Sequence, residues 1–169
     1  MDKEYKNLED KIKQIIYQNG PLTIEDYMSI CLQDEEDGYY KNKKPIGRDG
    51  DFITAPEISQ MFGEMIGIWL ITVLQNIGNQ TINLIELGPG NGYMMNDIQS
   101  VSRKFPDFSS SIKIWLYDIS NTFAEEQSRN IRYNYNRIDT LEELPVGINF
   151  FIANEFFDAI PIKQFIHKD

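Results

Sequence analysis

Two rhythms of apolar positions alternate along this chain: a helical one, and short, almost unbroken apolar runs of strand length. From Asp2 to Gln18, Leu8, Ile12, Ile15 and Ile16 recur on one helical face, and Asn19-Gly20-Pro21 ends the pattern. Thr23-Ile24-Glu25-Asp26 has the form of a capping box, with Asp26 in the place usually held by Glu or Gln. The helix it opens carries Ile24, Tyr27, Met28, Cys31 and Leu32. Asp34 to Phe52 is rich in Gly, Asp and Lys and reads as a long ordered loop, pinned to the core by Tyr39 and Tyr40. Thr54-Ala55-Pro56-Glu57 is a second capping box with proline in its first turn. It predicts one helix to about Asn76, with Ile58, Met61, Phe62, Met65, Trp69 and Val73 on its apolar face and Gly78 beyond its end.

After residue 78 the strand rhythm takes over. Ile82 to Leu87 is apolar except for Asn83 and Glu86, which predicts a buried strand. Tyr93 to Lys104 follows as a helix, with Met94, Met95, Ile98, Val101 and Phe105 at helical spacing. Phe105 to Ser111 is expected to be an extended connection into a second strand, Ile112 to Tyr117, closed by Asp118. A weaker third strand is expected from Tyr133 to Ile138. The run from Gly147 to Ala153 is a clear buried strand ending in Asn154-Glu155-Phe156-Phe157-Asp158. Strands alternating with helices predict an α/β fold with a parallel sheet. The expected division is an N-terminal helical region over 1–78, packing on a Rossmann-like core over 79–169.

Composition narrows the function classes. The 26 acidic and 16 basic residues among 169 leave a net charge of −10, the opposite of a nucleic-acid-binding footprint. The basic cluster Lys41, Lys43, Lys44 and Arg48 reads as a solvated loop. One cysteine, Cys31, allows neither an intrachain disulfide nor a cysteine metal cluster. One histidine, His167, leaves no set for a histidine zinc site, so no metal is expected. The first residues have neither a signal-peptide nor an arginine-rich transit pattern. Ile66 to Leu74 is too short to span a bilayer, so a soluble intracellular protein is expected.

The candidate chemistry lies where the first buried strand meets its helix. Glu86-Leu87-Gly88-Pro89-Gly90-Asn91-Gly92 places glycines at alternate positions, and glycine lets a ligand approach the backbone. The dinucleotide fingerprint fits only in part, because its third glycine falls on Tyr93. No lysine stands in the turn, so it is not a phosphate-binding P-loop. The pattern E-x-G-x-G-x-G resembles motif I of the Rossmann-like S-adenosylmethionine (SAM) methyltransferases. Glu86 suits a cationic ammonium, and Asp118, at the second strand's end, suits the paired hydroxyls of a ribose. Thr54 and Pro56 open a helix whose free N–H groups suit a carboxylate, and the stretch to Gln60 is expected beside the cofactor. Asn154, Glu155 and Asp158 stand at a strand's carboxyl end, where open α/β sheets carry out their chemistry. Their aromatic neighbours predict partial desolvation of both acids.

Longer blocks make the resemblance specific. Gly20-Pro21-Leu22-Thr23, Asp37-Gly38-Tyr39-Tyr40, the stretch from Gly50 to Glu64, Glu86 to Gly90, and the stretch from Ala153 to Pro161 together resemble the MidA-like family of SAM-dependent methyltransferases. The mitochondrial members of that family methylate arginine on a subunit of respiratory complex I during its assembly. The resemblance implies SAM as cofactor, held by Glu86, Gly88, Pro89 and Gly90, with Gly92 completing the turn. It places Asn154, Glu155 and Asp158 on the side of a protein substrate. Asp118 takes the position usually held by Glu. The family's chains are much longer and its sheet has seven strands. The resemblance therefore implies an N-terminal half, inactive alone, that either dimerises or pairs with a C-terminal half. It acts in a bacterial cytoplasm or a mitochondrial matrix.

Overall fold

The computed structural model of the chain describes residues 5–42, 47, 50–74, 80–119, 121 and 123–167. Gly78 and three members of the basic cluster, Lys43, Lys44 and Arg48, lie outside them, as does the side chain of Lys41. The chain forms two compact units, one of Met1–Pro45 with Phe156–Asp169 and one of Ile46–Glu155.

The first unit holds α1 (Leu8–Asn19), α2 (Ile24–Gln33), α3 (Tyr39–Asn42) and a 3₁₀ turn over Phe157–Ala159. α1 begins later than its apolar spacing predicts, because Asn7 caps it by accepting the Asp10 N–H at 2.8 Å. Gly20 ends it at φ 88, the left-handed conformation that favours glycine. Thr23 caps α2: its hydroxyl accepts the Asp26 N–H at 3.1 Å and donates to the Asp26 carboxylate at 2.6 Å. Lys11 bridges to Asp34, tying α1 to the end of α2. The loop expected over 34–52 contains a helical turn, α3, where Tyr39 and Tyr40 meet edge to face at 5.2 Å.

The second unit is built on a four-stranded parallel sheet of order β3-β2-β1-β4. These are β1 (Ile82–Leu87), β2 (Ile112–Tyr117), β3 (Asn136–Ile138) and β4 (Ile148–Ala153). β1, flanked on both sides, is buried at every position but Leu87, as its apolar run requires. The chain steps outward from β1 to β3 and then returns to the far side of β1. That reversal creates a switch point between β1 and β4, where ligands of open α/β sheets bind. The crossovers are α6 (Tyr93–Ser102), α7 (Pro106–Ser111) and α8 (Ala124–Asn130). α7 replaces the expected extended connection, because Pro106 suits a first helical turn. β3 is shorter than the predicted Tyr133–Ile138 run.

The helix expected from Thr54 to Asn76 is broken. α4 (Ala55–Ile58) ends at Ser59, which is extended at φ −152, and α5 (Gln60–Leu74) starts anew. Ser59 supplies the break by accepting the Met61 N–H at 3.2 Å. Thr54 makes no side-chain cap, so the second capping box does not form. The face of α5 that packs is the expected one only in part: Phe62 and Val73 lie against the core. Gly63, Gly67, Leu70, Ile71 and Leu74 are buried, whereas Ile58, Met61, Met65 and Trp69 are exposed. The glycines bring α5 close to α6: a Cβ on Gly67 would lie 2.4 Å from Val101 Cγ1.

Candidate cofactor site at the switch point

β1 ends at Leu87 and the backbone turns through Gly88, Gly90 and Gly92 at φ 64, 51 and 83. Side chains rarely tolerate those angles, so the alternate glycines are a backbone requirement. The Gly88 N–H donates to the Tyr117 carbonyl at 2.9 Å, fastening the turn to the end of β2. The Gly92 N–H donates to the Pro89 carbonyl at 2.8 Å, closing the turn before α6 starts at Tyr93.

Two acids flank this turn. Glu86, on β1, is 2% exposed, and its Oε2 has no hydrogen-bond partner. Burial, and then the neighbouring Asp118 carboxylate, push its pKa up to about 8. Asp118 directly follows β2 and is also buried. Its carboxylate accepts from Gln127 Nε2 at 2.9 Å. The same amide donates to the Gly90 carbonyl at 3.0 Å, so α8 latches the acid and the glycine turn together. Asn130, one helical turn on, donates to the Asn91 carbonyl at 2.9 Å. Arg137 donates to the Asp118 carbonyl at 3.1 Å and to Asn121 Oδ1 at 2.8 Å.

From α4, Glu57 accepts from the Asn91 side chain, which fixes this segment to the glycine turn. Thr54 is buried, and Pro56 lies in the first turn of α4. With four residues, α4 is too short to build the helix-end charge that Thr54 to Glu57 suggested.

The β1 register pairs Leu87 with Tyr117 on one side and Ala153 on the other. Gly88, Asp118 and Asn154 therefore leave the sheet in one row. Asn154 is half-buried, whereas Glu155 and Asp158 are exposed, so the expected desolvation of those acids does not hold. Glu155 sits at φ 50, the one non-glycine at positive φ among the described residues. Asp158 belongs to the 3₁₀ turn of the other unit.

Asn91 stood out in the sequence only within the glycine turn and Glu57 only as a cap partner, and Gln127 and Asn130 were not singled out. Their one local signal is the spacing of Gln127 and Asn130, which puts two amides on one face of α8. A buried acid with an unpartnered oxygen suits an ammonium group, and a second acid at the adjacent strand end suits a diol, with the glycine turn beside both. That donor set fits SAM.

The fold and this turn define a Rossmann-like methyltransferase core. Residues 65–169 match the family described as "Putative S-adenosyl-L-methionine-dependent methyltransferase", and the chain belongs to that family. Among curated relatives, it is 38% identical to the mitochondrial protein arginine methyltransferase NDUFAF7 homolog of Caenorhabditis elegans, covering 96% of this chain and 43% of the relative. The human mitochondrial protein arginine methyltransferase NDUFAF7 is 32% identical, covering 89% and 40%. The chain thus spans roughly two-fifths of the curated relatives it matches. A Burkholderia thailandensis structure bound to S-adenosyl-homocysteine shares the fold at TM-score 0.75 and 22% identity, covering 91% of this chain and 41% of that one. No helix among the described residues is long and apolar enough to cross a membrane.

Proposed function

We propose that this chain forms the cofactor-binding part of a SAM-dependent methyltransferase that acts on arginine in a protein substrate, of the respiratory complex I subunit type. The observation that carries the reading is the pair of buried acids, Glu86 and Asp118, on either side of a left-handed glycine turn at the switch point. In this reading Glu86 Oε2 meets the amino-acid ammonium, and Asp118 accepts from the ribose hydroxyls. Gly88, Pro89, Gly90 and Gly92 form the floor, and Thr54 and Pro56 one wall. The relatives' names support an arginine substrate and a mitochondrial place of action.

When bound, SAM supplies an electrophilic methyl group on a sulfonium. The chain's own residues then have to position the nucleophile, which is catalysis by proximity. Glu155 is assigned to hold the substrate guanidinium through paired hydrogen bonds, with Asp158 as the second candidate for that role and Asn154 as a further residue on the substrate side. With SAM bound, a carboxylate there would take the proton that the arginine nitrogen loses as that nitrogen takes up the methyl group and the sulfonium sulfur keeps the pair of the bond it gives up. Exposure of both acids favours one alternative, a SAM-binding scaffold without turnover.

Isothermal titration with SAM, with NAD as the control, tests the cofactor assignment. SAM is expected to bind and NAD not; NAD binding, or no heat with SAM, overturns it. A peptide-arginine methylation assay on the same sample separates enzyme from scaffold.

A further inference from the structure

α6 starts at the glycine turn and ends on the opposite side of the sheet. Its last turn and cap, with Gln99, Ser102 and Arg103, border a cleft of about 430 Å³. The cleft lies where β2 begins at Ile112 and β3 begins at Asn136, so it sits at the amino ends of these strands. The six residues of β2, about 20 Å of strand, separate it from the cofactor turn. Its volume is within the roughly 300–1,000 Å³ of small-molecule sites. The lining carries three cations, Arg103, Lys113 and Arg132, and no acid, in a chain of net charge −10. All three are exposed, and none forms a salt bridge among the described residues. The Arg103 guanidinium is held over the Tyr133 ring, 4.6 Å from its centroid. Like charges gathered without a salt-bridge partner repel one another, and a bound anion relieves that repulsion.

A second observation points to a ligand. Gln99 lines the same cleft and is 5% exposed, yet its Oε1 has no hydrogen-bond partner. Its Nε2 donates to the Asn134 carbonyl at 3.0 Å. A carbonyl only accepts, so this bond sets the amide's orientation and makes the unpartnered atom the oxygen. A buried acceptor left unpaired is costly, so the cleft calls for a donor as well as an anion. We propose that this cleft is a binding site for a nucleotide. Its phosphate meets Arg103, Lys113 and Arg132, an N–H on the edge of its base donates to Gln99 Oε1, and Tyr133 and Tyr135 form the aromatic wall. Three cations suit the double charge of a phosphate monoester better than a single carboxylate. The chain's net charge disfavours a polyanionic polymer. The inference concerns the far end of the sheet and does not rest on methyl transfer.

The test is calorimetric titration of the full chain with AMP, GMP, CMP and UMP, each with and without saturating SAM. Ribose 5-phosphate and inorganic phosphate are the comparison probes. At least one nucleotide should bind at a single site, about tenfold or more tighter than either comparison probe, with SAM leaving its affinity unchanged. Lys113→Glu should weaken that binding by about tenfold or more, the loss of one charged hydrogen bond. Lys13→Glu changes the net charge equally but lies on α1, and should leave the affinity as it is. Both lysines are exposed, so the variants keep their fold, checked by circular dichroism. Binding by none of the nucleotides, or equal affinity for ribose 5-phosphate, overturns the inference. So does competition by SAM, which would put the nucleotide in the cofactor site. Binding of a hexaglutamate peptide where nucleotides fail also overturns it, and would make an acidic polypeptide the occupant.

Discussion

A buried carboxyl with an unpartnered oxygen keeps its proton to a higher pH than a free one, and that ties Glu86 to both stability and binding. In the folded chain it releases its proton near pH 8, against an ordinary value of 4.5. Between those limits the folded state holds a proton that the unfolded state has lost, so stability falls as pH rises from about 4.5 to about 8, then levels off. The loss is on the order of a few kcal/mol. Urea unfolding between pH 5 and 8 should show this slope, and Glu86→Gln should flatten it. If Glu86 meets the SAM ammonium, binding at neutral pH should expel its proton. Calorimetry in buffers of different ionisation enthalpy reads that release, and identical heats would detach Glu86 from the ligand. Gly90→Val should abolish SAM binding, because a β-branched residue cannot hold φ 51 without strain and its side chain would occupy the turn. Equal affinity in the variant would remove Gly90 from the site. The positive φ of these glycines and the place of the two acids at strand ends were legible in the sequence, because both follow from local backbone chemistry. Gln127 was not: it reaches Asp118 and Gly90 only after α8 has packed, and nothing in its neighbours announces that.

At the scale of elements, β1, β2 and β4 were legible almost to the residue, since a parallel sheet imprints unbroken apolar runs. The facing of α5 was not. Apolar residues surround this helix, so periodicity could not choose the packed side, and the choice fell to Gly63 and Gly67. Small residues permit close approach and carry almost no hydrophobic signal. Gly67→Val should therefore destabilise the chain by about 1–3 kcal/mol, the usual cost of overpacking, since its Cβ would meet Val101 at 2.4 Å. Met65→Ala, on the exposed side, should change stability by less than about 0.5 kcal/mol. Chemical denaturation distinguishes the two, and equal effects would show that the packed face has been misassigned. The break at Ser59 escaped the sequence reading for a related reason: Glu57, the expected partner of the cap, is bound instead by Asn91, far off in the chain.

For the whole molecule the decisive feature is the outer edge of β4. This strand pairs with β1 along one side, and among the described residues no strand pairs with the other. Its sequence, Ile148 to Ala153, is apolar except for Asn149 and so suits burial on both faces, yet Phe151 is 46% exposed. Bare apolar edges present free N–H and C=O groups that template pairing with another chain. The 169-residue chain by itself should consequently self-associate or lose solubility, and it should not methylate arginine. Analytical ultracentrifugation across a concentration series, with a peptide methylation assay on the same sample, reads both. Phe151→Lys puts a charge on the edge strand and should shift the chain toward monomer without altering SAM affinity. The polypeptide that the relatives carry outside the matched stretch should, when supplied in trans, relieve the association and bring turnover. A monodisperse monomer that methylates arginine alone would show that the catalytic core is already complete within these residues.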